Sequence, residues 1–277
     1  MSTVQHTLPP AGPASARTGP GAAGRIRALA GAEIRLLLRN RTAVVNSVLA
    51  PLLMIVAVQG LGQAAGNGAG PGLVVTAIAV TLVLTAYYNL VTTFVARREE
   101  LVLQRMRTGE LTDAEVVLGT AVPTLVVTLV QVGVVLVGSL ALGRWSAPVD
   151  VVLPLVAIVG GSALMLLMAA ASTSFTQTAE SAQITTMPFV VVATTLSGLF
   201  FPLSAFPEPL ASAARLLPLS PVVELARLGL AGRTWTGSSV DLAGAWAQAP
   251  LPLGVLAGWL VLSAVVARRV FRWAPRR

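Results

Sequence analysis

Long apolar runs alternate along the chain with short polar segments. Six of these runs are near or above the roughly 20 residues that an α-helix needs to cross about 30 Å of hydrocarbon. None of the six contains Asp, Glu, Lys, Arg or His. The pattern therefore predicts an all-α membrane protein with six transmembrane helices. These helices are expected at about 43–62, 72–96, 116–142, 151–175, 182–202 and 250–267.

An amphipathic segment, residues 25–41, precedes the first run. With about 100° of rotation per residue, its apolar side chains cluster on one side of a helix and its arginines project from the other. Such a helix lies in the membrane interface with its cations against anionic head groups. The arginines expected to face the head groups are Arg25, Arg35 and Arg39.

Composition agrees with a membrane protein, because 55% of the 277 residues are hydrophobic and only 11% are charged, against roughly 25% charged residues in soluble domains. Cysteine is absent and the single histidine is His6, so disulfides and thiolate or histidine metal sites are not expected. Residues 1–24 are rich in Pro, Gly, Ala and Ser without periodicity, which predicts a disordered tail. The rest of the chain, residues 25–277, is expected to form a single transmembrane domain without catalytic or metal-binding residues.

All nineteen basic residues are arginine. A Walker A loop needs a lysine to reach the nucleotide phosphates, so no ATP hydrolysis by that route and no cofactor is expected in this chain.

Fifteen of the arginines lie in three segments, 17–41, 97–107 and 268–277. They flank apolar runs instead of forming a patch with aromatics, which argues against nucleic acid. Because cytoplasmic loops accumulate positive charge, both termini are predicted to be cytoplasmic, which requires an even number of crossings.

Residues 97–119 form the one charge-dense stretch between apolar runs. The pattern predicts a short helix at 97–107 with charges of both signs, a stop at Gly109 and a new helix that begins at Thr112. Thr112 and Glu115 have the T-x-x-E spacing of a capping box, in which each side chain bonds the backbone amide of the other residue. From the residues alone, the mixed-sign helix is as consistent with a docking surface as with a solvated loop.

This arrangement resembles the type-2 ABC transporter permease family, whose members carry an amphipathic helix, six spans and a charged stretch after the second span. The resemblance covers residues 25–270. After the fifth run, it rests on residues 197–210 and on the P-x-x-x-x-x-E-x-x-R pattern of Pro218, Glu224 and Arg227. In the charged stretch, it rests on Arg98-Glu99-Glu100, Leu103, Arg105-Met106-Arg107-Thr108, Leu111-Thr112 and Glu115-Val116-Val117-Leu118-Gly119.

The resemblance implies the membrane subunit of an exporter in a bacterial cell membrane. Its implied partners are a cytosolic ABC ATPase subunit that binds ATP-Mg, a second permease copy and membrane lipid. It also implies a cytoplasmic coupling helix between the second and third spans, and an irregular re-entrant or extracellular segment between the fifth and sixth. The residues expected to contact the ATPase are Arg97, Arg98, Glu99, Glu100, Leu103, Arg105, Met106, Arg107, Thr108, Glu110 and Leu111, with Glu180 between the fourth and fifth spans.

Five aromatic and polar residues are weak candidates for the substrate path. Tyr87, Tyr88 and Asn89 lie in the second run, although a tyrosine pair is more often an interfacial anchor or a packing contact. Phe200 and Phe201 end the fifth run and are expected to line either the path or a dimer interface.

Two other functions stay open. A membrane-embedded lipid-modifying enzyme needs a polar constellation near one interface, and the best available is Glu224, Arg227 and Asp241. A gradient-driven carrier usually needs ionisable groups at membrane depth, which the six runs lack. Residues 202–232 also carry two alternatives: a re-entrant segment covered by protein, or an exposed loop with a surface helix at 222–231.

Overall fold

A computed structural model describes residues 21–39, 70–103, 112–199, 203–271 and 273, with seven isolated positions between 45 and 57. Within these residues the regular structure is helical, as predicted, and the only β-contact is an isolated bridge between Arg233 and Ser239. The predictions for the tail, the first apolar run and residues 104–111 and 200–202 fall wholly or mostly outside the described residues.

Nine α-helical segments are described between residues 21 and 273. They are α1 (Ala22–Arg39), α2 (Pro71–Glu99), α3 (Asp113–Ala141), α4 (Val152–Ser172), α5 (Ala182–Leu196), α6 (Glu208–Arg215), α7 (Ser220–Ala231), α8 (Leu242–Gln248) and α9 (Pro250–Val270). Four of them, α2, α3, α4 and α9, are long and apolar enough to cross a membrane. These four lie over four of the six predicted runs, so the described part of the chain is that of a multi-pass membrane protein.

The helix in the fifth predicted run is shorter than expected. α5 has 15 residues and ends at Leu196, whereas a crossing needs roughly 20. Two residues later, Gly198 adopts a φ of 77°, a left-handed conformation that glycine enters freely and that ends helices. The apolar composition of 182–202 therefore does not correspond to one continuous helix.

Among the four candidate spans, α2 is the most buried, and it packs against α3, α4, α5 and α7. Its middle section, Thr81–Tyr88, is a π-helix, a rare conformation that is frequent at functional sites. α1 lies across the first turns of α3, where the Leu29 side chain occupies the space that a side chain at Gly119 would need.

The twelve-residue helix α7 lies inside the bundle, in contact with α2, α4 and α9, and only Ala231 in it is not buried. Small residues permit this approach, since Gly161 of α4 meets Val222 and Gly229 of α7 meets Pro154. At 1.5 Å per residue, Gly161 lies about 14 Å from the first residue of α4, so α7 reaches deep between the spans. This burial contradicts the alternative of a surface helix at 222–231.

Candidate functional site

The charged end of the bundle is defined here as residues 97–103, 112–115 and 173–181, where α2 and α4 end and α3 and α5 begin. The predicted capping box at the start of α3 is confirmed. The Glu115 amide donates to Thr112 Oγ1 at 3.3 Å, and the Thr112 amide donates to Glu115 Oε2 at 2.7 Å. The position at which α3 begins is therefore set by local bonds.

The other oxygen of the Glu115 carboxylate pairs with α1. Arg25 donates to Glu115 Oε1 from Nη2 at 2.7 Å and from Nε at 3.2 Å. Arg25 thus contacts another helix of its own chain, whereas the amphipathic pattern predicted a contact with lipid head groups. The reason is that the first turn of α1 lies over the first turn of α3. Arg35 and Arg39 are exposed, as a helix with one polar face requires.

Arg98 lies at the centre of the charged end and is 2% exposed. Its Nη1 donates to the Thr173 carbonyl oxygen at 2.7 Å, and its Nη2 donates to the carbonyl oxygens of Thr176 at 2.7 Å and Gln177 at 2.9 Å. Carbonyls at a helix C-terminus lack helical partners and carry partial negative charge, so a guanidinium is a suitable partner for them. The residue predicted as a docking contact is oriented towards the interior of its own chain.

The residues next to Arg98 differ in exposure. Glu99 Oε2 accepts a hydrogen bond of 3.2 Å from the Ala179 amide. Glu100 is exposed and lies 4.0 Å from Arg97, a distance at which a surface ion pair contributes little stability. Leu103 is fully buried. Among the remaining predicted contacts, Glu180 is exposed, and Arg105, Met106, Arg107, Thr108, Glu110 and Leu111 lie outside the described residues.

The predicted helix at 97–107 is interrupted within its described part, because residues 100 and 101 form a turn and Val102 and Leu103 are helical again. Arg97, Arg98 and Glu99 form the last turn of α2. Leu101 then has a φ of 60°, a left-handed conformation that is uncommon for a residue with a side chain. The mixed charges belong partly to the end of a span and partly to the connection that follows it, and no periodicity in the sequence distinguishes the two.

The candidate path residues of α2 separate into two groups. Tyr87 is buried, shares a hydrogen bond of 2.9 Å with Ser172 Oγ, and has its ring centroid 4.5 Å from that of Phe189. These contacts are those of helix packing. Tyr88 and Asn89 are half-buried at the end of the π-helix, while Phe200 and Phe201 lie outside the described residues.

A buried hydrogen bond in the same layer escaped sequence reasoning. Thr85 Oγ1 donates to Gln131 Oε1 at 2.8 Å, between α2 and α3. Polar residues inside apolar runs were the available signal, but only the packing of the helices pairs them.

Apart from the charged end, charged residues also lie in α7 and in the segments beside it. Arg215 Nη2 donates to Glu224 Oε1 at 2.9 Å, and the Arg215 guanidinium lies 4.6 Å from the ring centroid of Trp235. Arg227 donates to the Gly198 carbonyl oxygen at 2.7 Å. Asp241, the third member of the hypothetical enzyme site, accepts from the Gly244 amide at 2.8 Å and begins α8. Each of these groups thus has a structural contact.

An apolar groove lies on the described part of the bundle. It has a volume of about 530 Å³ and lies between α4 and α9, where Val156 and Gly160 face Leu256 and Leu260. A smaller apolar cavity of about 230 Å³ lies among α2, α3, α4 and α7. Neither contains the convergent polar groups of a catalytic pocket.

Comparison with protein families gives a match over most of the chain. A family model described as ABC-2 type transporter matches residues 24–230, from α1 to the last turn of α7. No curated protein gives a significant match to the chain.

Proposed function

Because the chain belongs to the ABC-2 type transporter family, we propose that it is the transmembrane subunit of an ATP-driven exporter. Permeases of this family work with a separate ATPase subunit. The absence of lysine, and with it of a Walker A loop, supports the same division of labour. In the proposed complex, the partner binds ATP-Mg, and this chain supplies the membrane path.

The observation that carries the proposal is the construction of the charged end. Between α2 and α3, two candidate spans, the chain has exposed charge at Glu100, and both flanks of this connection are fixed by Arg98 and by the capping box at Thr112. When the ATPase moves a segment whose two ends are held by fixed contacts, the displacement passes to the helices at those ends. A solvated loop would change its own conformation instead. We therefore assign the contact with the ATPase to this connection.

The same proposal places the charged end in the cytoplasm, with six crossings and both termini cytoplasmic in a bacterial cell membrane. α6 and α7 then form a re-entrant segment that enters from the outer face, which suits the cover of α7 by α2, α4 and α9. A second permease, either another copy of this chain or a related chain, completes the path, since ABC ATPases close as a dimer.

Orientation is testable because the chain has no cysteine. Single cysteines at Glu100 and at Glu208, both exposed, report opposite ends of the bundle. In intact cells, an impermeant maleimide is expected to label Glu208→Cys and to spare Glu100→Cys. Labelling of Glu100→Cys from outside would exclude the proposed coupling.

Association with the ATPase gives the second test. Charge reversal of Glu100 and Arg105 is expected to abolish co-purification of an ABC ATPase, because the charged residues between α2 and α3 are its proposed contact. Glu208→Lys is the matched control, since Glu208 is an exposed acid on the opposite end. Retention of the ATPase by the Glu100 and Arg105 variant would contradict the assignment.

A further inference from the structure

Arg98 connects two segments that are far apart in the sequence. Its guanidinium binds three backbone carbonyls at 173–177, in the turn between α4 and α5. A planar guanidinium presents its donors as a rigid fork, so contacts with several acceptors restrict its orientation as well as its position. The end of α2 is thereby held against the end of α4.

Glu99 adds a second contact to the same turn. Its carboxylate accepts from the amide of Ala179, two residues beyond the last carbonyl that Arg98 binds. Successive residues of α2 therefore contact both halves of the turn, one as a donor and one as an acceptor.

The turn between α4 and α5 is also hydrogen-bonded to α5. Thr176 Oγ1 and Thr185 Oγ1 lie 3.0 Å apart, and Ser181 and Thr178 exchange side-chain to backbone bonds that begin α5. A displacement of the turn therefore displaces the first turn of α5 together with the last turn of α4.

We propose that Arg98 is a positioning residue, which passes movement of the α2–α3 connection to α4 and α5, and is not itself a contact of the ATPase. This inference rests on the proposed function, because the movement originates in the ATPase. Burial supports it, since a side chain that is 2% exposed has no surface to offer a partner. The sequence prediction of docking for Arg98 is thereby replaced by an intramolecular role.

The experiment uses the complete transporter, purified with its ATPase, and compares the nucleotide-free state with the state trapped by ATP and vanadate. Hydrogen exchange is measured for amides in 112–120 and in 173–181. In the wild-type complex, trapping is expected to alter exchange in both segments. In Arg98→Ala, the ATPase is expected to stay bound and 112–120 to respond to trapping as in the wild type. The amides of 173–181 are expected to exchange roughly tenfold faster or more before trapping, because charge-assisted bonds are lost. Their exchange should no longer change when the complex is trapped.

Two further variants keep the test decisive. Arg98→Lys retains the charge but offers a single ammonium, so it is expected to speed exchange in 173–181, as Arg98→Ala does. It provides the test if Arg98→Ala fails to fold. Arg269→Ala removes an exposed arginine of α9 and is expected to leave both segments unchanged.

A covalent substitute for the Arg98 contact distinguishes transmission from general loosening. Cysteines at Glu99 and Ala179, bridged by a short bifunctional thiol reagent, are expected to restore the response of 173–181 in the Arg98→Ala background. A bridge that forms without restoring the response would overturn the inference.

The remaining outcomes are also separable. An unchanged response of 173–181 in both Arg98 variants would overturn the inference, as would loss of the ATPase with normal protection of 173–181, which would make Arg98 a docking contact. If the wild-type chain binds no ATPase at all, the proposed function fails and the inference falls with it.

Discussion

The guanidinium of Arg227 in α7 donates a hydrogen bond of 2.7 Å to the carbonyl oxygen of Gly198, two residues after the end of α5. Arg227 is 7% exposed. A buried cation therefore connects the end of the fifth predicted span, α5, to the buried helix α7. The left-handed backbone of Gly198 ends α5 at the point where Arg227 contacts the chain. This contact holds the irregular region between α5 and α9 against the bundle.

Arg227→Ala is expected to lower the free energy of unfolding by about 1–3 kcal/mol, because it leaves the buried carbonyl of Gly198 without its donor. The measurement is thermal unfolding of the purified protein, followed by tryptophan fluorescence. Arg144→Ala is the control, since Arg144 is exposed at the same end of the bundle and should change stability by roughly 0.5 kcal/mol or less. Equal stability of the two variants would exclude a structural role for the contact.

Gly229→Ala is expected to separate α7 from α4. A Cβ at this position would overlap Pro154 Cδ and lie 2.9 Å from the Asp150 carbonyl oxygen, and overpacking of this kind costs about 1–3 kcal/mol. Gly258→Ala in α9 is the matched control, because nothing lies within 4 Å of its Cβ and alanine favours helix. The two substitutions should shift the melting temperature in opposite directions, and a stabilising Gly229→Ala would mean that α7 is not packed as described.

Glu115 is expected to matter more than its ion-pair partner. Arg25→Ala removes the salt bridge between α1 and α3, whereas Glu115→Ala removes that bridge and the capping box together. The melting temperature should therefore fall further for Glu115→Ala. In the Glu115→Ala background, adding Arg25→Ala should have little further effect, and an additive double variant would contradict the pairing.

The buried hydroxyl pair of Tyr87 and Ser172 is expected to contribute only about 0.6 kcal/mol, the average for side-chain hydrogen bonds between transmembrane helices. Tyr87→Phe retains the ring contact with Phe189 and should be nearly as stable as wild type. Tyr87→Ala loses the ring and should cost about 3 kcal/mol or more. If Tyr87→Phe cost as much as Tyr87→Ala, the hydroxyl would have a role beyond packing, consistent with the substrate path.

Some features were predictable because they depend on neighbouring residues. The capping box at Thr112 needs two side chains three positions apart in the sequence. Long apolar runs predict helices in a bilayer whichever other helices pack against them. α5 was predicted too long because hydropathy does not register the left-handed turn at Gly198. The π-helix of α2 carries no sequence signal that distinguishes it from the α-helix around it.

The charge pattern did not predict the contacts of two candidate site residues, Arg98 and Arg25. The charged stretch between two apolar runs predicted that Arg98 contacts a partner protein, and the amphipathic pattern of residues 25–41 predicted that Arg25 faces lipid head groups. Both side chains contact their own chain. A charge pattern shows that a charge needs a partner and does not show which one.

The sequence by itself determined the class of protein, the helical character of its spans and the start of α3, because composition, run length and helix caps act within a few residues. Only the tertiary structure decided that Arg98 binds carbonyls 75 to 79 residues away, that Arg25 pairs with Glu115 90 residues away, and that α7 is buried. These contacts arise when helices distant in sequence pack side by side. A guanidinium excluded from water then takes whichever acceptor the packing brings within reach.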